Sequence, residues 1–256
     1  MNTAVGAQDN IIEARGLTKR FFGFAAVSNV DLDVRRHSIH ALIGPNGAGK
    51  TTTFNLITKF LAPSEGTIRY NGEDITRESP ARVARRGIVR SFQISAIFPR
   101  MSVAENVRIA LQRPKGTSYF FWRSERSLRE LEGRVDELLD AVGLLQYRGQ
   151  PAAGLSYGRK RALEFATTLA LEPELMLLDE PTSGLGNEDV DRIAELIRTV
   201  SANRTILMVE HNLSVVAKLA DKITVLARGK VLAEGPYAQI STDQRVIEAY
   251  IGGEDE

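Results

Sequence analysis

The feature that most constrains the fold of this chain is the segment Gly44 to Thr51, which reads Gly-Pro-Asn-Gly-Ala-Gly-Lys-Thr. It matches the phosphate-loop pattern, in which glycines bracket four residues and a lysine and a hydroxyl residue follow. An apolar run, Ile39 to Ile43, broken by His40, precedes it, and Thr52 to Phe60 has helical apolar spacing. Strand, glycine-rich loop and helix are the context that this motif needs. The loop N–H groups and the helix start would hold phosphate, Lys50 would reach the β- and γ-phosphates, and the Thr51 hydroxyl would bind Mg²⁺.

Composition narrows the class of protein without indicating an activity. Charged residues make up 25% and apolar residues 43% of the 256 residues, as in a typical globular protein. The net charge of +1 gives no electrostatic argument for binding nucleic acid or a membrane surface. The absence of cysteine excludes disulfides and thiolate metal sites. No stretch approaches the ~20 apolar residues of a membrane span, so work at a membrane would need spans from another chain.

A second strong signal is an apolar run that ends in two acids, Leu175-Met176-Leu177-Leu178-Asp179-Glu180. Such a run predicts a buried strand, and ligands of α/β sheets bind outside the carboxyl ends of the strands. Asp179 is therefore a candidate for holding Mg²⁺, and Glu180 for polarising an attacking water. Taken alone, the two acids could also be a solvated turn before Pro181.

Strand-like and helical segments alternate in both halves of the chain, whereas the middle is mostly helical. This order predicts an α/β fold with a helical insertion at about 79–172. We expect a single domain over residues 11–252 and flexible ends at 1–10 and 253–256. Arg20 to Ala25 is expected to be a turn between strands, and Asn71-Gly72 to close a hairpin.

A third motif, Leu155-Ser156-Tyr157-Gly158, lies shortly before the acidic strand. Ser156 is a good helix N-cap, and Gly158 leaves backbone N–H groups accessible. With the phosphate loop, Gln93 after a strand, the acidic strand and His211 in this order, the chain resembles the nucleotide-binding subunit of an ATP-binding cassette (ABC) transporter, over roughly residues 11–252. The resemblance implies a phosphate-loop NTPase fold of class α/β, with a RecA-like core, an antiparallel β subdomain and a helical subdomain.

The resemblance also implies a set of catalytic residues and two cofactors, ATP and Mg²⁺. Glu180 would orient the attacking water, His211 would hold the γ-phosphate, and Lys50 would offset its charge. Gln93 would sense Mg²⁺ and the γ-phosphate. The implied magnesium ligands are Thr51, Gln93 and Asp179.

ATP would be contacted by an aromatic side chain and by the whole phosphate loop. Phe21 matches the family's adenine-stacking aromatic, although Phe22 and Phe24 are close enough to leave the choice open. The implied ATP-binding residues are Phe21, Gly44, Pro45, Asn46, Gly47, Ala48, Gly49, Lys50, Thr51, Thr52 and Asp179.

In this family two cassettes pair head to tail, so the third motif would act on the nucleotide of the partner. The residues implied in this role are Ser156, Tyr157 and Gly158. Tyr157 and Arg159 replace a glycine and a glutamine of the common signature, and Gly186 stands where many members carry an aspartate. Because the serine and the second glycine are kept, we expect the signature to function.

Several segments narrow the resemblance to the branched-chain amino acid uptake group. They are Ser91 to Ile94, Phe98 to Val107, Val209 to Asn212 and Val246 to Gly252. Tyr157 and the segment 113–132 fit the first of the two cassettes of this group. The implied partners are a second cassette, identical or not, two transmembrane permease subunits and, indirectly, a periplasmic substrate-binding protein. The implied location is peripheral, at the cytoplasmic face of the inner membrane, with no nucleic-acid partner.

The sequence also allows other functions, and two of its segments allow other interpretations. Uptake systems for urea and short amides, and the cassette of the lipopolysaccharide exporter, look much the same. A soluble ABC ATPase outside transport usually carries two cassettes or a long coiled coil, and a kinase or GTPase would lack the signature and His211. Arg82, Arg85, Arg86 and Arg90 are interpreted as a solvated helix face, with docking to a membrane partner as the alternative. Tyr119 to Arg123 is interpreted as packing within the helical subdomain, or else as touching a membrane subunit or lipid.

Overall fold

The computed structural model describes residues 9–91, 97–112 and 131–251. Gln93 and the aromatic segment from Tyr119 to Arg123 lie outside the described residues, so the predictions made for them stay predictions. The expected flexible ends also lie outside, except for Asp9 and Asn10, and Asn10 already belongs to the first strand. Within the described ranges no helix combines the length and the apolar character needed to cross a membrane.

An antiparallel sheet comes first in the chain. It is built from β1 (Asn10–Phe21), β2 (Phe24–Arg35), β4 (Glu65–Tyr70) and β5 (Glu73–Asp74), in the order β2-β1-β4-β5. The turn expected over Arg20 to Ala25 is shorter than predicted, because Arg20 pairs with Ala25 across the strands. Only Phe22 (φ 47°) and Gly23 (φ 91°) form the turn, and two positive φ values match the tight hairpin turns that suit strand twist.

A second sheet of six strands forms the centre of the fold. Its strands are β3 (Ile39–Ile43), β6 (Ile88–Ser91), β7 (Leu175–Asp179), β8 (Thr205–Val209), β9 (Lys222–Ala227) and β10 (Lys230–Gly235), in the order β10-β9-β3-β8-β7-β6. All neighbours are parallel except β10, which pairs antiparallel with β9. The strands β3, β7 and β8 are buried along their whole length, which explains their predominantly apolar sequences.

Nine α-helices surround the sheets in the described part of the chain. They are α1 (Lys50–Ile57), α2 (Pro80–Arg85), α3 (Val103–Gln112), α4 (Glu132–Ala141), α5 (Tyr157–Leu169), α6 (Asn187–Ser201), α7 (Leu213–Leu219), α8 (Tyr237–Ile240) and α9 (Gln244–Ile251). The range expected for the helical insertion holds α2, α3, α4 and α5. It also holds β6, which pairs with β7 in the central sheet.

The central sheet separates two hydrophobic cores. Side chains alternate along β3, so Ile39, Ala41 and Ile43 join the core that includes α3 to α7, whereas Leu42 joins the core shared with the antiparallel sheet and α1. Both faces of the sheet are thus covered. The carboxyl ends of its parallel strands are left to carry the loops in which ligands of α/β folds bind.

Candidate active site

Three neighbouring parallel strands, β3, β8 and β7, bring several of the predicted site residues to one edge of the central sheet. The phosphate loop follows β3, Glu210 and His211 follow β8, and Asp179 ends β7 with Glu180 directly after it. These strands are adjacent in the sheet, so segments more than a hundred residues apart in sequence meet at their carboxyl ends. Gln93 would follow β6 at the same edge, but it lies outside the described residues.

The phosphate loop has the backbone that its glycines permit. Gly44, Gly47 and Gly49 have φ values of 147°, 75° and 99°, which L side chains rarely adopt. At Gly44 an added Cβ would lie 2.1 Å from the carbonyl oxygen of Leu226, so no larger residue fits. Asn46 and Gly47 are exposed, whereas Ala48 is buried and anchors the loop by accepting a hydrogen bond from Gly229 N–H (3.1 Å).

Lys50 folds back over this loop. Its Nζ donates to the carbonyl oxygens of Gly44 (2.6 Å) and Pro45 (2.9 Å). Burial lowers the pKa of Lys50, and the nearby carboxylate of Glu180 opposes that shift. A partly desolvated ammonium held against a glycine-rich loop is a good fit for the phosphates of a nucleotide. Thr51 and Thr52 follow at the start of α1, with the first exposed and the second half-buried.

Asp179 is buried and forms an ion pair with Arg90, a residue that was expected on a solvated helix face. Its Oδ2 accepts a very short hydrogen bond from Nη2 of Arg90. Arg90 also donates from Nη1 to Oδ1 of Asn55 (2.5 Å), and its guanidinium lies 5.9 Å from the ring centroid of Phe54. The interpretation of Arg90 as part of a solvated helix face is therefore wrong. It lies on β6, next to β7, with its side chain 14% exposed.

The oxygen atoms of Thr51 and Asp179 suit Mg²⁺, a hard cation that prefers carboxylate and hydroxyl oxygen. No group of three or more His, Cys, Asp or Glu residues that could hold a metal occurs among residues 9–91, 97–112 and 131–251. That sparse donor set fits the usual magnesium site of nucleotide enzymes, in which one or two carboxylates act with substrate phosphates and water.

Glu180 and His211 come together at this edge. Nδ1 of His211 lies 3.9 Å from Oε2 of Glu180, too far for a direct hydrogen bond. Their side chains are 30% and 61% exposed, for Glu180 and His211 respectively, so both face accessible space. Glu180 has a left-handed backbone (φ 48°), held by its N–H bond to the carbonyl of Val209 (2.9 Å). A carboxylate and an imidazole that lie this close and both face accessible space are an arrangement that can orient a nucleophile.

The predicted adenine-stacking aromatic lies on the hairpin between β1 and β2. Phe21, Phe22 and Phe24 are all exposed, so none is a core residue. Two residues beyond Phe24, β2 passes the phosphate loop: a Cβ added at Gly49 would lie 2.7 Å from the carbonyl oxygen of Ala26. The hairpin is therefore placed beside the loop, and the choice among the three aromatics stays open.

The signature residues lie at the start of α5 and bond within their own helix. Ser156 is the N-cap and accepts from the N–H of Arg159 (3.4 Å), while Tyr157 is 49% exposed. No local sequence signal indicates the neighbour of Gly158: a Cβ added there would lie 2.2 Å from Cγ of Asp189, at the start of α6. The side-chain hydrogen bonds of Ser156 and Tyr157 stay within α5 in the described part of the chain, and the role toward a partner's nucleotide stays a prediction.

Comparison with known proteins gives two family matches. The profile described as "ABC transporter" matches residues 27–183, and the profile described as "Branched-chain amino acid ATP-binding cassette transporter" matches residues 230–256. The first match spans the phosphate loop, the signature and the acidic strand. The second spans β10, α8 and α9.

Curated relatives and solved structures agree with these matches. The high-affinity branched-chain amino acid transport ATP-binding protein BraF of Pseudomonas aeruginosa is 38% identical over 252 residues, covering 94% of this chain and 98% of that protein. The corresponding protein LivG of Escherichia coli is 37% identical over 249 residues, covering 94% and 98%. A crystal structure of an ABC transporter cassette in its ADP conformation superposes with a TM-score of 0.82 at 28% identity, covering 95% of this chain and 99% of that one.

Proposed function

Since this chain belongs to the ABC transporter family and is an ATPase of that family, we propose that its ATP hydrolysis drives import of branched-chain amino acids or related amino acids and amides. The observation that carries the hydrolytic part is the meeting of Lys50, Glu180 and His211 at one sheet edge. The names of the relatives and the match over residues 230–256 support the substrate class. Neither supports a lipopolysaccharide exporter or a non-transport ATPase.

In the proposed mechanism the phosphate loop binds the phosphates of the nucleotide, and the acidic end of β7 orients the attacking water. The N–H groups of the loop and Lys50 hold the phosphates and offset their charge, and an exposed aromatic, Phe21 in the first instance, stacks on adenine. Glu180 holds the attacking water and His211 contacts the γ-phosphate, so that positioning supplies much of the rate. Thr51 and Asp179 would hold Mg²⁺, which neutralises phosphate charge, and Gln93 remains a proposed sensor of that ion.

The proposed assembly follows from the place of the signature. Ser156, Tyr157 and Gly158 would complete the site of a second cassette, identical or not. We further propose that a single domain over residues 11–252, with its helical subdomain, docks at the cytoplasmic face of the inner membrane. There it would act with two permease subunits and, through them, with a periplasmic binding protein.

The first test separates binding from hydrolysis. Glu180→Gln keeps the shape of the side chain but weakens its hold on water, so we expect ATP affinity to be kept and turnover to fall by about 10³-fold. Glu188→Gln, an exposed acid in the first turn of α6, is the matched control and should keep the parent rate. Parent-level hydrolysis by Glu180→Gln would remove Glu180 from this role.

The substrate class is tested in cells that lack the chain. Uptake of radiolabelled leucine should be lost and should return with the parent sequence but not with Glu180→Gln. Undiminished leucine uptake together with an accumulation of lipopolysaccharide inside the cell would refute the import proposal and leave the ATPase.

A further inference from the structure

One buried carboxylate at the site edge has no part in the mechanism above. Glu210 directly follows β8 and precedes His211, and it has no exposed surface (0%). A carboxylate removed so completely from water destabilises the fold unless hydrogen bonds replace its hydration. Its partners therefore show what the residue is arranged to hold.

Glu210 accepts four hydrogen bonds, divided between two loops. Oε1 accepts from the backbone N–H of Thr182 (3.0 Å) and, at shorter range, from the hydroxyl of the same residue. Oε2 accepts from the backbone N–H groups of His211 (2.9 Å) and Asn212 (3.1 Å). Most of these donors are backbone groups, so the carboxylate fixes the course of the main chain.

The two loops carry the two side chains that would act on the γ-phosphate. Thr182 lies two residues after Glu180, so Oε1 holds the turn that presents Glu180, and Oε2 holds the turn that presents His211. These side chains do not bond each other directly, because Nδ1 of His211 is 3.9 Å from Oε2 of Glu180. The left-handed backbone of Glu180 (φ 48°) is a strained conformation that persists only where its surroundings fix it.

We propose that Glu210 is a positioning residue for ATP hydrolysis, which sets the spacing between Glu180 and His211 by clamping both turns with one carboxylate. It touches neither the nucleotide nor the water. The inference rests on the proposed roles of Glu180 and His211. A misplacement of about 1 Å can cost about 10²-fold in rate. A rigid bridge between the two turns therefore gives a catalytic advantage that explains why a charged group is buried here.

The main test is Glu210→Gln, which keeps the size of the side chain. An amide –NH₂ group donates and cannot accept from N–H, so the bridge to one of the two turns is lost. In the purified chain we expect kcat to fall by about 10²-fold, while KM for ATP changes by less than about threefold. A raised KM with an unchanged kcat would overturn the proposal.

Two further variants keep the test decisive if Glu210→Gln folds poorly. Thr182→Val removes only the hydroxyl bond to Oε1, so we expect a smaller fall in kcat, about tenfold, at unchanged ATP affinity. Glu234→Gln is the control. Glu234 on β10 accepts a similar hydrogen bond from the hydroxyl of Thr224 on β9 (2.8 Å), and neither residue belongs to the two turns. It should lower stability alone, and an equal fall in kcat for Glu234→Gln and Thr182→Val would refute a positioning role.

A double-mutant cycle distinguishes this proposal from the proposed function. If Glu210 acts through Glu180, adding Glu210→Gln to Glu180→Gln should lower the single-turnover rate by less than about threefold. The same fractional loss in both backgrounds would overturn the positioning role and leave Glu180 in place. A parent-level rate for Glu180→Gln alone would instead overturn the proposed role of Glu180.

Discussion

The phosphate loop and the acidic edge, which comprises Asp179, Glu180, Glu210 and His211, are neighbours that hold their shape by different means. The loop depends on backbone conformation, since Gly44 and Gly49 permit positive φ values and close approach of other main chains. The acidic edge depends on side chains from distant segments, since Arg90 on β6 pairs with Asp179 and Glu210 bridges two turns.

Each half of the site is therefore sensitive to a different kind of substitution. A loop specified by glycines is damaged by added atoms, because Gly44 and Gly49 leave no room for a Cβ. An edge specified by buried charges is damaged by lost partners, because an uncompensated buried charge costs more than the pair contributed. This contrast predicts several mutational effects, and the failure of any of them would contradict it.

The largest effect is expected at the acidic edge. Arg90→Gln leaves the buried carboxylate of Asp179 without its guanidinium, so we expect the free energy of unfolding to fall by about 4 kcal/mol. Magnesium and ATP together should restore more stability to this variant than they add to the parent chain, because the cation compensates Asp179. Urea unfolding with and without both ligands measures this.

An exposed ion pair supplies the control for Arg90. Lys218 and Asp191 lie 2.9 Å apart with side chains 58% and 67% exposed, so Lys218→Gln should cost only about 0.5 kcal/mol. Equal losses for Lys218→Gln and Arg90→Gln would mean that the acidic edge is not held by its buried pair, and the comparison would fail.

The next effect is expected in the loop. Gly44→Ala forces a Cβ to within 2.1 Å of the Leu226 carbonyl oxygen at a φ of 147°, so we expect a loss of about 3 kcal/mol together with loss of nucleotide binding. Gly47→Ala is the matched variant, since nothing lies within 4 Å of its added Cβ and only its φ of 75° is strained. It should cost about 1 kcal/mol, as measured by thermal unfolding and by titration with a fluorescent ATP analogue.

The same contrast explains what the sequence could predict. The phosphate loop and the buried β7 are local patterns, so both were predicted where the structure has them. The partner of Asp179 was not predictable, because it depends on β6 lying beside β7 in a register that pairs Arg90 with Leu177. Glu210 lacked a local signal for the same reason, since its Thr182 partner comes from a different loop.

Two strand features were missed for a local reason. Arg228 (φ 48°) and Gly229 (φ 75°) form a tight turn into β10, and an Arg-Gly pair is a weaker hairpin signal than Asn-Gly. The Phe22-Gly23 turn was predicted too long because a bulky residue at positive φ is uncommon. Both turns could have been found from the strand-like residues on either side.

A smaller effect tests whether the loop region also depends on a buried side chain. His40 on β3 is fully buried, with Nε2 2.8 Å from the Thr224 hydroxyl. Burial first, and then the positive charge of Lys222, lower its pKa from 6.5 to about 3, while Asp33 opposes the shift. Between these pH values the unfolded chain binds a proton that the native chain does not, so stability falls as the pH falls.

The measurement compares the parent chain with His40→Gln. Below about pH 6.5 the parent should lose up to about 1.4 kcal/mol per pH unit relative to the variant, and above about pH 7 the difference should be constant. Urea unfolding over this range measures it. A pH-independent difference would show that His40 is not held neutral. The stability of the strand before the loop would then not depend on the protonation of its one buried imidazole.

The smallest effect is expected just after the C-terminal end of α1, the end opposite to the phosphate loop. A substitution there should change stability without changing phosphate binding. Lys59 is 6% exposed, and its Nζ has no hydrogen-bond partner in the described part of the chain. Burial lowers its pKa, with Asp74 opposing, so the charged amine destabilises the fold below its native pKa. Lys59→Met keeps the stem and should add about 1 kcal/mol near neutral pH, a gain that shrinks toward pH 10 as the unfolded lysine also loses its proton. Unfolding at both pH values checks this, and unchanged ATP affinity would place Lys59 outside the loop's function.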